Sequence, residues 1–181
     1  MQGGWNFVVV PEGLAAAARP DVPSRPSWVF EAVLERCHAL ARGADHVYLA
    51  PANTFGQADA EQFAAHRFLD ALGPTYAITS FPTDTRRYID TRGNAVLLRE
   101  WLAAHGRWPL PRCVLVANDL HLPRARLVFG QEGWRFDRCE GIPRGAGRPQ
   151  PVVRRLWYYN HTAAHRAYEA LALGLSCLRW I

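Results

Sequence analysis

The sequence predicts an α/β protein: a three-layer Rossmann-like sandwich with a mainly parallel central sheet. Short β-branched runs alternate with segments of helical spacing, the order expected of a strand–helix–strand chain. The strand runs are continuously apolar rather than alternating, as in strands covered on both faces. The composition, 49% apolar and 20% charged over 181 residues, suits one domain with a real core and excludes a disordered chain. Right-handed crossovers then place helices on both sides of the sheet.

Phe7-Val8-Val9-Val10 is the first strand, stopped by Pro11. Residues 27–41 carry Val29, Val33, Cys37 and Leu40 at helical spacing, with Gly43 as the stop. Residues 46–50 form the second strand, ended by Pro51-Ala52-Asn53. Asp59 opens a second helix with Gln62 as its capping-box partner, and Gly73-Pro74 closes it. Residues 76–79 form a third strand. A third helix spans 91–105, with Thr91 as N-cap and Ala95, Leu98 and Leu102 on one face. Residues 113–117 are the clearest strand, and a helix starts near Pro123 and runs toward Gly130 or Gly133. Residues 135–139 form a last short strand, 141–151 a Gly/Pro/Arg loop, and 153–178 a long helix with Gly174 as a break point.

Composition narrows the function classes. The formal net charge is +5, and with no lysine present all 21 basic residues are arginines. They are dispersed, so no basic stripe marks a nucleic-acid surface and a nucleic-acid partner is not expected. Arginine does suit planar, bidentate capture of phosphate or carboxylate, which points to a small anionic partner. Cys37, Cys113, Cys139 and Cys177 are scattered without a CxxC pair, which reads as thiols rather than a zinc ribbon or redox site. No apolar stretch approaches the ~20 residues of a membrane helix, so no membrane partner is expected. The start MQGGWNFVVVPEG lacks the basic and long apolar regions of a signal peptide, and a cytoplasmic protein is expected.

In a parallel sheet, ligands bind at the carboxyl ends of the strands. The strand exits carry Glu12 after the first, Asn53 and Thr54 after the second, and Asp84, Arg86, Arg87, Asp90 and Asn94 after the third. Asn118, Asp119, His121 and Arg124 follow the fourth. Four segments thus deliver carboxylates, amides, arginines and one histidine to the same edge. His121 and Arg124, three apart at a strand-to-helix junction, can face one crevice. In that reading His121 transfers a proton, Glu12 or Asp119 sets its charge state, and Arg124 holds an anion. Asn94, Asn53, Asn118, Asp84, Arg86 and Arg87 are the further candidates for substrate contact. The bland alternative has His121 capping the helix, Arg124 paired with Asp119, and the 84–90 loop tied by solvated ion pairs. His161, His165 and Glu169 share one face of the last helix. Without a fourth partner in view, and beside Trp157, Tyr158 and Tyr159, they read as packing rather than as a metal site.

The fourth strand and its exit, CVLVANDLHLPRARLVFGQEG, resemble the hallmark of the YdcF/SanA/ElyC family, a widespread bacterial domain of unknown function. The family's His-hydrophobic-x-Arg-Ala helix start corresponds to His121, Pro123, Arg124 and Ala125. Its Thr-x-x-Asn-Ala helix start corresponds to Thr91, Asn94 and Ala95, and a late glutamate is similar to Glu169. The resemblance runs in order over nearly the whole chain. Two turns depart from it. Pro11-Glu12-Gly13 replaces a Gly-rich turn, and Pro51-Ala52-Asn53 replaces a Ser-Gly-Gly turn, which bears on any ligand contact needing close backbone approach. The resemblance implies S-adenosylmethionine as a candidate cofactor. The envelope role of membrane-anchored relatives does not transfer to a sequence without their spanning segment. The expectation is therefore a cytoplasmic enzyme acting on a phosphate-, nucleotide- or carboxylate-bearing molecule through His121 and Arg124. The alternatives are a nucleotide or S-adenosylmethionine binding module, or an enzyme of specialised metabolism that uses S-adenosylmethionine.

Overall fold

A computed structural model describes residues 4–17, 19, 22–83, 87–143 and 149–178. Among these, β1 (Asn6–Val9), α1 (Trp28–Leu40), β2 (His46–Leu49), α2 (Glu61–Ala71), β3 (Ala77–Thr79), α3 (Thr91–Ala104), β4 (Cys113–Asn118), α4 (Leu122–Gln131), β5 (Arg138–Ile142) and α5 (Thr162–Leu178) follow in order. The strands form one five-stranded sheet in the order β3-β2-β1-β4-β5, every pairing parallel. This is the expected α/β sandwich with a Rossmann-like strand order.

The side-chain alternation of β1 divides the core. Phe7 and Val9 point to one face, where Phe30, Val33, Leu34 and Leu69 of α1 and α2 cover them. Val8 and Val10 point to the other, against Leu98 and Leu102 of α3 and Phe129 of α4. β4 repeats the pattern with Val114 and Val116 opposed to Leu115 and Ala117. Continuous apolar strands are thus what a sheet covered on both faces requires. Each fully buried Val, Leu or Phe contributes about 1.5–3 kcal/mol. A third cluster, including Leu14, Trp28, Val29 and Leu156, holds a 3-10 segment (Arg154–Asn160) against the ends of β1 and α1.

Several local expectations are corrected. The N-cap of α3 is Asp90, whose side chain accepts from the Gly93 amide at 2.8 Å; Thr91 is the first helical residue, and its hydroxyl turns elsewhere. The capping box of α2 does not form. Its N-cap is Ala60, Asp59 accepts from the Ser24 amide and Arg67, and Gln62 is fully buried. Gln62 accepts from the Ala52 amide (3.0 Å) and donates to the Phe81 carbonyl (3.2 Å), tying the exit of β2 to that of β3. The last strand lies three residues further on than expected. The C-terminal stretch breaks at Asn160–His161 rather than at Gly174, through which α5 runs unbroken.

Candidate active site

The sheet changes its winding direction between β1 and β4, and their exits meet there. β1 leaves through Pro11-Glu12-Gly13. Gly13 adopts φ +88°, a left-handed turn that favours glycine, and a Cβ there would sit 2.1 Å from Leu156 Cδ1. The Ser27 hydroxyl and amide fix this turn by donating to the Glu12 and Gly13 carbonyls at 2.6 and 2.9 Å. β4 leaves through Asn118, whose side chain accepts from the Leu120 amide (3.1 Å) and donates to the Ile142 carbonyl (3.2 Å). That side-chain turn swings His121 back over the sheet edge.

Glu12 is fully buried and is the hub of the site. Its Oε1 accepts from the Asn118 amide at 2.8 Å and lies 3.1 Å from His121 Nδ1, while Oε2 accepts from the Tyr159 hydroxyl at 3.0 Å. Burial pushes the Glu12 carboxyl up, but its pairing and hydrogen bond with His121 and the Asn118 amide outweigh it and hold the group below its ordinary value. An ionised Glu12 only accepts, so His121 carries a proton on Nδ1. The other ring nitrogen, Nε2, lies 3.2 Å from the Thr91 hydroxyl. Thr91 in turn accepts from Arg124 Nη1, which leaves its own proton for Nε2. Arg124 completes the chain through a two-pronged pair with Glu169, at 2.7 Å from Nε and 3.0 Å from Nη2. Burial opposes the Arg124 charge, but the hydrogen bonds and charge of Glu169 raise its pKa above the ordinary arginine value.

The result is a continuous carboxylate–imidazole–hydroxyl–guanidinium–carboxylate chain along one wall of a pocket of about 90 Å³. That volume is about three water molecules' share of liquid, enough for a compact acidic group. His121, Arg124, Asn94 and Asn53 all line it. Asn94 donates to the Pro51 carbonyl at 2.5 Å. Asn53 exchanges two 2.8 Å bonds with the Ile89 backbone, so it also clamps the segment before α3. Phe55, Tyr88, Tyr158, Tyr159 and Tyr168 supply aromatic walls, with Tyr158 stacked on Tyr168 at 4.3 Å.

Other candidates fall elsewhere. Asn118 supports Glu12 from behind and does not line the pocket. Asp119 is exposed, its Cα and Cβ beside Gly141 of β5, so of the two candidate carboxylates it is Glu12 that meets the imidazole. Arg87 is exposed and lines a separate groove alongside the start of α3. Asp84 and Arg86 lie outside the described residues. His121 stands at the N-cap of α4 without a side-chain capping bond, and Arg124 pairs with Glu169 rather than with Asp119. His161 is exposed and His165 buried against Tyr159 at 4.6 Å. Among the described residues, no group of three His, Cys, Asp or Glu is placed to hold a metal ion. No described helix is long and apolar enough to cross a membrane.

The pocket also holds a group that strand-exit reasoning missed. Glu61, at the start of α2, is buried and lines it. Its Oε2 accepts from the Gly13 amide at 2.6 Å and its Oε1 from the Asn53 amide at 3.2 Å. Burial pushes its carboxyl up to about 7; the two amides oppose that rise and nearby Glu12 adds to it. The signal available was a glutamate in the first turn of α2, beyond Asn53 and Thr54 at that strand's exit. Tyr159 had no local signal, since it meets Glu12 from 147 positions away. No family model, curated protein or solved structure matches the chain.

Proposed function

We propose that the protein is a cytoplasmic enzyme acting on a small anionic molecule, with His121 as its proton-transferring group. The observation that carries this reading is the buried Glu12–His121–Thr91 chain beside an open pocket. A carboxylate fixes the tautomer of an imidazole, whose second nitrogen accepts from a hydroxyl. That is the arrangement by which an enzyme activates a hydroxyl or water for attack. The Arg124 N–H groups left over from Glu169 and Thr91 supply positive charge for a phosphate or carboxylate. The resemblance to the YdcF/SanA/ElyC family, resting on His121, Arg124, Thr91, Asn94 and Glu169, supports the same wall as the working surface.

The test is a turnover screen on phosphate monoesters, nucleotides and carboxylate esters, followed by His121→Ala and His121→Asn. Asparagine keeps an N–H for Glu12 but cannot accept a proton. Both folded variants are expected to lose turnover; an unchanged rate in either removes His121 from the mechanism. A second reading, a nucleotide or S-adenosylmethionine binding module without chemistry, is favoured by the aromatic walls, where the Phe55 and Tyr88 rings lie 6.4 Å apart, tilted at 54°. Saturable calorimetric binding of such a ligand, with no turnover across the screen, decides for it.

A further inference from the structure

The charges around the pocket pose a difficulty for any anion. Arg124, the arginine on its wall, is already committed to Glu169 through two of its nitrogens. His121 is committed to Glu12. Two carboxylates, Glu12 and Glu61, lie at the same sheet edge, and Asp90 also lines the pocket. Among the described residues, a bare anion entering this space meets more negative charge than positive, in a site where burial strengthens every repulsion.

Glu61 is the group that can relieve this. Its position is fixed by two backbone N–H groups, one on each oxygen, from Gly13 and Asn53. Each oxygen keeps a further lone pair, and the residue borders the pocket. A proton taken up there occupies one of these remaining lone pairs, on a residue that borders the cavity. We propose that Glu61 is the specificity-determining residue of this site: each anion is bound together with one proton, which Glu61, as a carboxylic acid, donates in a hydrogen bond to an anion oxygen. The O–H bond stays on Glu61 while the anion is bound; when the anion leaves unprotonated, the proton is released to solvent and the two backbone amides hold the carboxylate. The inference rests on the anionic-substrate reading above.

The groups facing Glu61 are consistent with this assignment. Glu12, after β1, repels a charge on it. Tyr88, before α3, and Tyr159, of the 3-10 segment, are phenols whose own pKa values are raised by burial and, in part, by Glu61. His121, Arg124 and, at the N-cap of α3, Asp90 line the same pocket. The two buried carboxyls are pushed apart, Glu12 toward the ion that holds His121 and Glu61 up to about 7, so that a proton resides on Glu61 rather than on Glu12. The selected substrate class is an anion with an exposed oxygen acceptor, taken more tightly as the solution becomes more acidic.

Sulfate is the probe, because it stays a dianion from about pH 5.5 to 8.5 and any titration belongs to the protein. Its affinity for the whole chain is measured by amide chemical-shift titration across that range, for the wild type and for Glu61→Gln. The wild type is expected to lose up to about tenfold in affinity per pH unit above 7, the signature of one linked proton. Glu61→Gln is expected to bind sulfate with no such slope. A wild type that binds sulfate independently of pH, or a Glu61→Gln variant that keeps the slope, overturns the inference and leaves the anion site standing. Sulfate binding by neither protein at any pH overturns both. If Glu61→Gln does not fold, the carbon-13 carboxyl resonance of Glu61 in the wild type decides. Sulfate is expected to raise its titration midpoint, and an unmoved midpoint overturns the inference.

Discussion

Replacing Glu169 by alanine removes the carboxylate that holds Arg124. Both side chains are nearly enclosed, with 12% and 6% of their surfaces exposed, and the pair is two-pronged at 2.7 and 3.0 Å. In Glu169→Ala the guanidinium keeps its contact to Thr91 but loses its counter-charge. Breaking a buried pair from one side costs about 3–5 kcal/mol, chiefly because the surviving charge is stranded. Arg124 retains some access to solvent at the pocket, which places the expected loss near the lower end, about 3 kcal/mol. For a domain of this size that is a fall in Tm of roughly 6–12 °C. Urea unfolding followed by circular dichroism measures it. The companion Arg124→Met strands Glu169 and is expected to cost a similar amount. The double variant is expected to recover about 2 kcal/mol relative to the sum of the two, because nothing charged is left behind. A loss below about 1 kcal/mol for Glu169→Ala, or additive single variants, refutes a buried, energetically coupled pair.

Glu61 adds a pH dependence of definite sign. Its carboxyl is raised in the fold from 4.5 to about 7, so the folded state prefers the protonated form. Its contribution is fully present below pH 4.5 and is lost as pH rises to 7, by about 3 kcal/mol at 1.36 kcal/mol per pH unit. The stability of Glu61→Gln relative to wild type, from urea midpoints at several pH values, should therefore rise between about pH 4.5 and 8. A flat difference sinks the assignment. Gly13→Ala is expected to destabilise by about 2–3 kcal/mol, since it adds left-handed strain to a clash with buried Leu156. Gly56→Ala has a similar φ of +76° but open space around its Cβ, and should cost only about 1 kcal/mol in the same assay; equal costs would remove the Leu156 clash as the cause.

The sheet was readable because its central strands have no solvent face to advertise. Phe7–Val10 and Cys113–Ala117 are apolar at every position, and the interior positions of α3, Ala95, Leu98 and Leu102, stand at regular spacing and are all fully buried. β5 was misplaced for the converse reason. As an edge strand reading RCEGI, half exposed, it has no apolar run to announce it. The break at Asn160–His161 carries no Gly or Pro; the 3-10 segment bends where Leu156, Tyr158 and Tyr159 reach into the third apolar cluster, a tertiary cause invisible locally. The same contrast divides the site. Glu12, Asn94, His121 and Arg124 were found because strand exits converge in any parallel sheet. The contacts that complete it, Glu61 on the Gly13 amide and Tyr159 on Glu12, join residues 48 and 147 positions apart.

The strand order bears on how the chain emerges during synthesis. β1 occupies the middle of the sheet, yet while β2 reaches it early, its other neighbour begins only at Cys113, paired with Asn6. At a translation rate of about 5–20 residues per second, that neighbour arrives roughly 5–20 s after β1. In that interval Phe7, Val8 and Val9 present a bare edge able to template pairing with another nascent chain. Fragments ending before β4 should therefore be the sticky ones.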